Sequence, residues 1–258
     1  MKKNYLQVLS VLGFILAWQI VGELKIFDES LFPTPGGILK AFVYWHENRG
    51  LETAIYLSLR RVITGFVVAS IVGVSIGLLM GYYKTVDYTL GTIVRMLQPI
   101  PGITWVPLAI LWFGSISETA KIYIVLMGAV FPILINTSSG VQQIPPIYLK
   151  TARSLGARGL KLFSSFVLPA ALPSIISGMR VAWAFSWRAL ISAEMILAFE
   201  AGPGRGGIGG LVELSRQFSD INLAGMVMVI LAMIGMGVDR VVFGYVQDKI
   251  LTRWGLEK

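Results

Sequence analysis

The sequence predicts an all-α membrane protein with about six transmembrane helices. Only 14% of its 258 residues are charged and the mean hydropathy is +0.72, which leaves too little polar surface for a soluble domain of this length. The apolar residues also gather into runs of roughly 20, enough helix to cross a hydrocarbon core of about 30 Å. Finally, the bases and acids between those runs sort by side.

The runs extend from Tyr5 to Val21, Ala54 to Tyr82, Leu90 to Phe113, Ile122 to Ser139, Leu172 to Ala198 and Ile221 to Val246. Loops joined in this order alternate sides, so both termini are expected in one compartment. That side holds Lys2, Lys3, Lys84, Lys150, Arg153, Arg158, Lys161, Lys249, Arg253 and Lys258 against Asp87, Asp248 and Glu257. The other side holds Glu23, Asp28, Glu29, Glu47, Glu52, Glu118, Glu200, Glu213 and Asp220 with fewer bases. The positive-inside rule then places both termini in the cytoplasm. The net charge of +8 needs no nucleic acid to explain it.

The first run follows Lys2-Lys3, a start that also suits a signal peptide. Its exit, Val21-Gly22-Glu23-Leu24-Lys25, lacks a small-x-small cleavage site, so a retained anchor is expected. Beyond it, Leu31-Phe32-Pro33-Thr34-Pro35 and a stretch of helical apolar spacing through Trp45 suggest an outer interfacial helix. Residues 1–53 thus read as anchor and outer segment, 54–248 as a membrane core with a cytoplasmic loop at 142–171, and 249–258 as a cytoplasmic tail.

In the second run, Gly73, Gly77 and Gly81 recur every fourth residue, as a close helix contact in lipid requires. Arg60 and Arg61 at its start read as interface anchors. The third run, LQPIPGITWVPLAILWFG, carries Pro99, Pro101 and Pro107 beside Trp105. Each proline removes a backbone donor, so a kinked or broken helix is expected; it is either a gate beside a solute route or a static bend. Asn136-Thr137-Ser138 matches a glycosylation sequon by chance, since it lies at a cytoplasmic helix end.

The fifth run places Arg180, Arg188 and Glu194 inside an apolar stretch. A charge at the bilayer centre costs about 3 kcal/mol, so these side chains should face the bundle interior or a wet cavity. At about 100° per residue, Arg180, Trp183, Trp187, Ile191 and Glu194 share one face, with Arg188 on its flank. An Arg and Trp stripe suits a passing anion. The competing structural readings are that Arg180 snorkels to the interface and that Glu194 or another helix holds Arg188. In the sixth run, Asp239-Arg240 reads as a local ion pair.

Enzyme chemistry finds no residues here. Cysteine is absent and His46 is the single histidine, which excludes disulfides, thiolate sites and His-rich metal sites. No metal ligand set, catalytic residue or GxxxxGK[ST] loop occurs. Gly202, Gly204 and Gly207 in AGPGRGGIGG have dinucleotide-fingerprint spacing, but they follow a membrane run, so a flexible outer loop that docks an external partner is expected.

The polar stretch from Gln142 to Pro173 carries Lys150, Arg153, Arg158 and Lys161 without an acid. Gly156 is placed to end one helix and Leu168-Pro169 to start another. With Lys150-Thr151-Ala152, Gly156 and Val167-Leu168-Pro169, it resembles the coupling loop of permease subunits of ATP-binding-cassette importers, in the nitrate, sulfonate and taurine branch. The third run is similar to the same branch. The resemblance extends from about Leu31 to Trp254-Gly255-Leu256, and Lys150 and Thr151 replace the usual Glu and Ala.

The resemblance implies a type I importer permease (MetI-like) fold in the bacterial inner membrane. It further implies a homodimer with two cytoplasmic ATPase subunits that hold ATP and Mg, no cofactor on this chain, and an external binding protein. Lys150, Thr151, Ala152, Arg153, Gly156, Ala157, Arg158, Leu168 and Pro169 would then couple to the ATPase. Pro99, Pro101, Trp105, Arg180, Trp183, Trp187, Arg188 and Glu194 would line or gate the pathway. Nitrate, bicarbonate, a sulfonate or an uncharged vitamin precursor fit the family, and Arg180 with Arg188 favours a small anion. The alternative is an ATPase-independent channel or secondary transporter using Arg188 and Glu194 as an ion relay.

Overall fold

The computed structural model describes residues 2–24, 26, 28, 31–48, 50–115, 117–197 and 204–245, with the backbone alone for 2–8, 11 and 242. The expected cytoplasmic tail at 249–258 and Gly202 lie outside the described residues. Among the described residues the chain is helical, without strands. Four helical stretches are long and apolar enough to cross a membrane: Gly50–Tyr82, Glu118–Gln142, Gly159–Ile196 and Ile221–Val241.

The helices are α1 (Lys2–Glu23), α2 (Pro35–Glu47), α3 (Gly50–Tyr82), α4 (Lys84–Leu97), α5 (Val106–Phe113), α6 (Glu118–Gln142), α7 (Pro146–Ser154), α8 (Gly159–Leu162), α9 (Leu168–Ile196), α10 (Gly207–Gln217) and α11 (Ile221–Val238). The third expected span is not one rod. It is α4, a 3-10 turn at Gly102–Trp105 and α5, with a bend of 98° at the break. Pro99 and Pro101 have no N–H to carry a helix through this point.

Residues 1–58 and 194–234 form one compact unit. There Thr34 caps α2 through a bond from the Gly37 N–H, Trp18 Nε1–H donates to the Pro33 carbonyl at 2.8 Å, and the Gly36 N–H donates to Gln19 Oε1 at 3.1 Å. Part of the loop expected to be flexible is instead α10, whose first residues, Gly207 to Leu211, are buried. Just before it, Gly204 lets backbone pack where a side chain would not fit: a Cβ there would come within 2.8 Å of the Gly50 carbonyl oxygen.

Residues 59–193 and, among the described residues, 235–245 form the second unit. Gly73, Gly77 and Gly81 face α6 there: a Cβ on Gly73 would sit 3.0 Å from Ile133, one on Gly77 2.7 Å from the Leu134 carbonyl oxygen, and one on Gly81 2.7 Å from the Ser138 carbonyl oxygen. The stripe is thus a backbone-to-backbone seam, which in lipid supplies the packing that water would otherwise drive. Gly77→Leu is expected to destabilise the fold by roughly 2 kcal/mol or more, because α6 must move away. Lowered thermal stability in detergent, followed by tryptophan fluorescence, checks this.

Sequence reading of helix starts and charge partners needs three corrections. Leu168-Pro169 opens α9 as expected, but not after a break: the helical run already begins at Gly159 and passes through a π turn at Phe163–Val167, where the Leu168 N–H reaches the Phe163 carbonyl. That wider turn relieves the clash an α-helical carbonyl would make with the Pro169 ring. Arg61 is 1% exposed rather than an interface anchor, and it donates to both oxygens of Glu118, with Lys121 3.5 Å from the same carboxylate. Asp239 pairs with Arg180, not with the neighbouring Arg240. Adjacent residues on a helix point about 100° apart, so a partner across the bundle is the easier reach.

Glu118→Gln is expected to cost about 2 kcal/mol, since it removes a carboxylate shared by two buried cations while remaining partly solvated itself. The measurement is again thermal unfolding in detergent, with Lys84→Gln as the surface control.

Candidate coupling loop and solute cavity

The loop after α6 is rigid by construction. Pro145 and Pro146 open α7, whose missing N–H groups fall where a first turn has no acceptors for them. Gly156 closes it with φ +82°: its N–H donates to the Arg153 carbonyl and the Ala157 N–H to the Ala152 carbonyl, both at 3.0 Å. These are the two bonds of a Schellman cap, and Ala152 and Ala157 supply its apolar contact, buried together in one core cluster.

The loop is fastened to the end of α3. Arg153 Nη2 donates to the Tyr82 hydroxyl at 2.7 Å, and the Tyr82 and Phe163 rings lie 4.7 Å apart. Its outward surface shows Ile147, Tyr148, Leu155 and Leu160, which are 64%, 66%, 74% and 87% exposed. Lys150, Thr151, Arg153, Arg158 and Lys161 are exposed around them, whereas Leu168 and Pro169 are half-buried. Large apolar side chains ringed by bases form an amphipathic surface suited to an acidic protein groove.

Between the broken span, α6 and α9 lies a cavity of about 770 Å³. Gln98 to Ile103 form one wall, Pro132 and Asn136 another, and Phe185, Arg188 and Ser192 a third. The elbow is locked there by small residues: a Cβ on Gly102 would sit 2.8 Å from the Ala189 Cβ, and one on Gly128 3.0 Å. Among the described residues no carboxylate pairs with Arg188, whose guanidinium lies 5.7 Å from the Phe185 ring centroid. Arg95, also at the wall, is 3.4 Å from Asp87. Asn136 lies mid-helix and donates to the Pro132 carbonyl at 2.8 Å.

Of the residues expected along a pathway, Pro99, Pro101 and Arg188 line this cavity, and Trp105, Arg180, Trp183 and Trp187 do not. The expected Arg and Trp stripe therefore divides. Trp183 and Trp187 are buried, with Trp183 edge-on to Phe66 at 5.3 Å. Arg180 is bound at both nitrogens by Asp239, at 2.6 and 2.7 Å. Glu194 is fully buried; both its oxygens accept from the Ser58 hydroxyl at 2.8 Å, and one accepts from the Gly209 N–H at 2.9 Å. Sequence reasoning missed Ser58 and Gly209, although a carboxylate in a span demands such donors.

Long apolar helices, a broken span walling a cavity and a capped basic loop are the features of a multi-span membrane subunit. The chain belongs to the family of binding-protein-dependent transport system inner membrane components, whose model matches residues 69–249. It is 40% identical over 193 residues to a putative ABC transporter permease protein of Methanocaldococcus jannaschii, covering 75% of this chain and 70% of the relative. It is 36% identical to the bicarbonate transport system permease protein CmpB of Synechococcus elongatus, covering 77% and 74% of the two chains. It is 33% identical to the putative aliphatic sulfonates transport permease protein SsuC of Escherichia coli, covering 94% and 89%.

In fold it is similar to a chain of the inward-facing MetNI methionine ABC transporter, with a TM-score of 0.62 at 19% identity over 83% of this chain and 97% of that one. The MetI-type permease fold expected from the resemblance is therefore the fold of this protein.

Proposed function

We propose that this chain, paired with a second copy, forms the pathway of an ATP-driven importer for a small anion of the nitrate, bicarbonate or sulfonate kind. The observation that carries this is the capped loop of Pro146–Val167, whose exposed Ile147, Tyr148, Leu155 and Leu160 sit among bases on a rigid frame. An exposed apolar surface of this sort needs a protein partner. The partner is a cytoplasmic ATPase, which holds the ATP and Mg; this chain binds neither. A binding protein delivers the solute from outside, and both termini lie in the cytoplasm of a bacterial inner membrane, as the distribution of bases favours.

The cavity beside the broken span is the solute route. Arg188 supplies a cation to it, with Gln98, Asn136 and Ser192 as polar neighbours. Alternating access then closes the route on one side while the coupling loop is displaced on the other.

The test is uptake into proteoliposomes holding this chain, its co-purified ATPase and the binding protein. Uptake that requires ATP and the binding protein is expected. Uptake by this chain alone, driven by a proton gradient, would replace the importer with a secondary carrier.

A further inference from the structure

We propose that Glu194 is a positioning residue for transport: its buried carboxylate ties the end of α9 to Ser58 of α3 and to the start of α10, and so fixes where α10 stands beside α2. This rests on the importer reading above. Glu194 stands near the end of α9.

There the carboxylate occupies the start of α10. It accepts from the Gly209 N–H at 2.9 Å and from Ser58 Oγ, while the Ile208 N–H donates to that same hydroxyl oxygen at 2.9 Å. Two N–H groups of the first turn of α10, which have no acceptor within their own helix, are thus satisfied from α9 and α3. Gly207 makes the approach possible: its φ is +79°, and a Cβ there would overlap the Glu194 carboxylate. A buried carboxyl group in a span is expensive to keep unless donors meet it, as they do here.

The other end of α10 is where its position has an effect. Leu214 and Phe218 form one wall of a second cavity, of about 720 Å³, whose opposite wall is Lys40, Tyr44 and Trp45 of α2. Phe218 is 75% exposed. Near it, Arg216 bonds Glu213 and holds that carboxyl below the usual carboxylate range. The folded pKa is depressed, so the pair's contribution is complete above the ordinary carboxylate value and lost as pH falls through the lowered one.

The experiment uses the assembled transporter with spin labels at Lys40→Cys and Phe218→Cys, since the chain has no native cysteine. Glu194→Ala, Glu194→Asp and Ser58→Ala are compared with the wild type for uptake, basal ATP hydrolysis and the label-to-label distance. We expect Glu194→Ala to lower uptake about tenfold with basal hydrolysis within about twofold of normal, and to broaden the distance distribution, because buried donors are left unpaired. Glu194→Asp should recover part of the uptake and of the narrow distribution.

If Glu194→Ala fails to insert, Ser58→Ala decides: it should broaden the distribution and reduce uptake several-fold without changing hydrolysis. Normal uptake in an inserted Glu194→Ala chain, an unchanged distance distribution, or a loss of hydrolysis in step with uptake would overturn the proposal. The importer reading fails separately, if the unsubstituted chain shows no ATPase-dependent uptake; the label distances remain measurable in the chain alone.

Discussion

Gly156→Asp is expected to leave the chain inserted and paired with its ATPase while uptake falls at least about tenfold and hydrolysis ceases to respond to substrate. Nothing lies within 4 Å of a Cβ at this position, so crowding is not the cause. The cause is backbone strain: φ is +82°, and an L-residue in that region costs about 1–2 kcal/mol. The loop sheds that strain by opening the Schellman cap, which lets Leu155 and Arg158 leave the positions the cap gives them. A carboxylate amid Lys150, Arg153, Arg158 and Lys161 adds new local ion pairs that compete with any acidic groove. Gly156→Ala separates the two effects, since it carries the strain without the charge and should show the weaker loss. Normal substrate-stimulated hydrolysis in Gly156→Asp would remove the loop from the coupling role.

Arg188→Gln should lower uptake about tenfold or more, and Arg180→Gln should not lower it by the same route. The two arginines lie on one helix and look alike in sequence, yet they differ in what holds them. Arg180 is bound bidentately by Asp239, so its charge is spent on joining α9 to the turn after α11. Its replacement should show as lower thermal stability with normal apparent affinity. Arg188 stands at the cavity wall beside Phe185, with no carboxylate against it among the described residues. Its replacement should raise the solute concentration needed for half-maximal uptake and leave the melting temperature near normal. Uptake unchanged by Arg188→Gln would remove the cation from the route and with it the case for an anion.

Most of the fold was legible because lipid leaves few choices. Spans must be helical and about 20 residues long, and so the runs at Ala54 and Ile122 lie within α3 and α6, and those at Leu172 and Ile221 start inside α9 and α11. The glycine stripe at Gly73, Gly77 and Gly81 and the break near Pro99 were readable for the same reason: one residue type has a single strong effect. Helix starts were less so. Lys84 and Gly50 open α4 and α3 well before the apolar runs do, since polar residues extend a helix beyond the membrane without changing hydropathy.

The partners of charges were not legible. Periodicity says which face Arg180 or Glu194 occupies, but it carries nothing about which other helix meets that face. Asp239 lies 59 residues from Arg180 and Ser58 lies 136 from Glu194. The fifth run also misled in one respect: Trp183 and Trp187 were grouped with the arginines by angle, yet a single helix in a bundle has several neighbours, and Trp183 packs on Phe66, with Trp187 beside it, rather than on the cavity. Within the basic loop the opposite held. Gly156 is a local signal, and its cap forms from residues within five positions of one another.

The most direct measurement is purification of the tagged chain from its native membrane under conditions that keep complexes intact, with partners identified by mass spectrometry and uptake assayed on the product. An ATPase carrying a P-loop, recovered in amount equal to this chain and required for uptake, is the result expected from the loop and the family. A homogeneous chain without an ATPase, taking up solute by itself under a proton gradient, would contradict it.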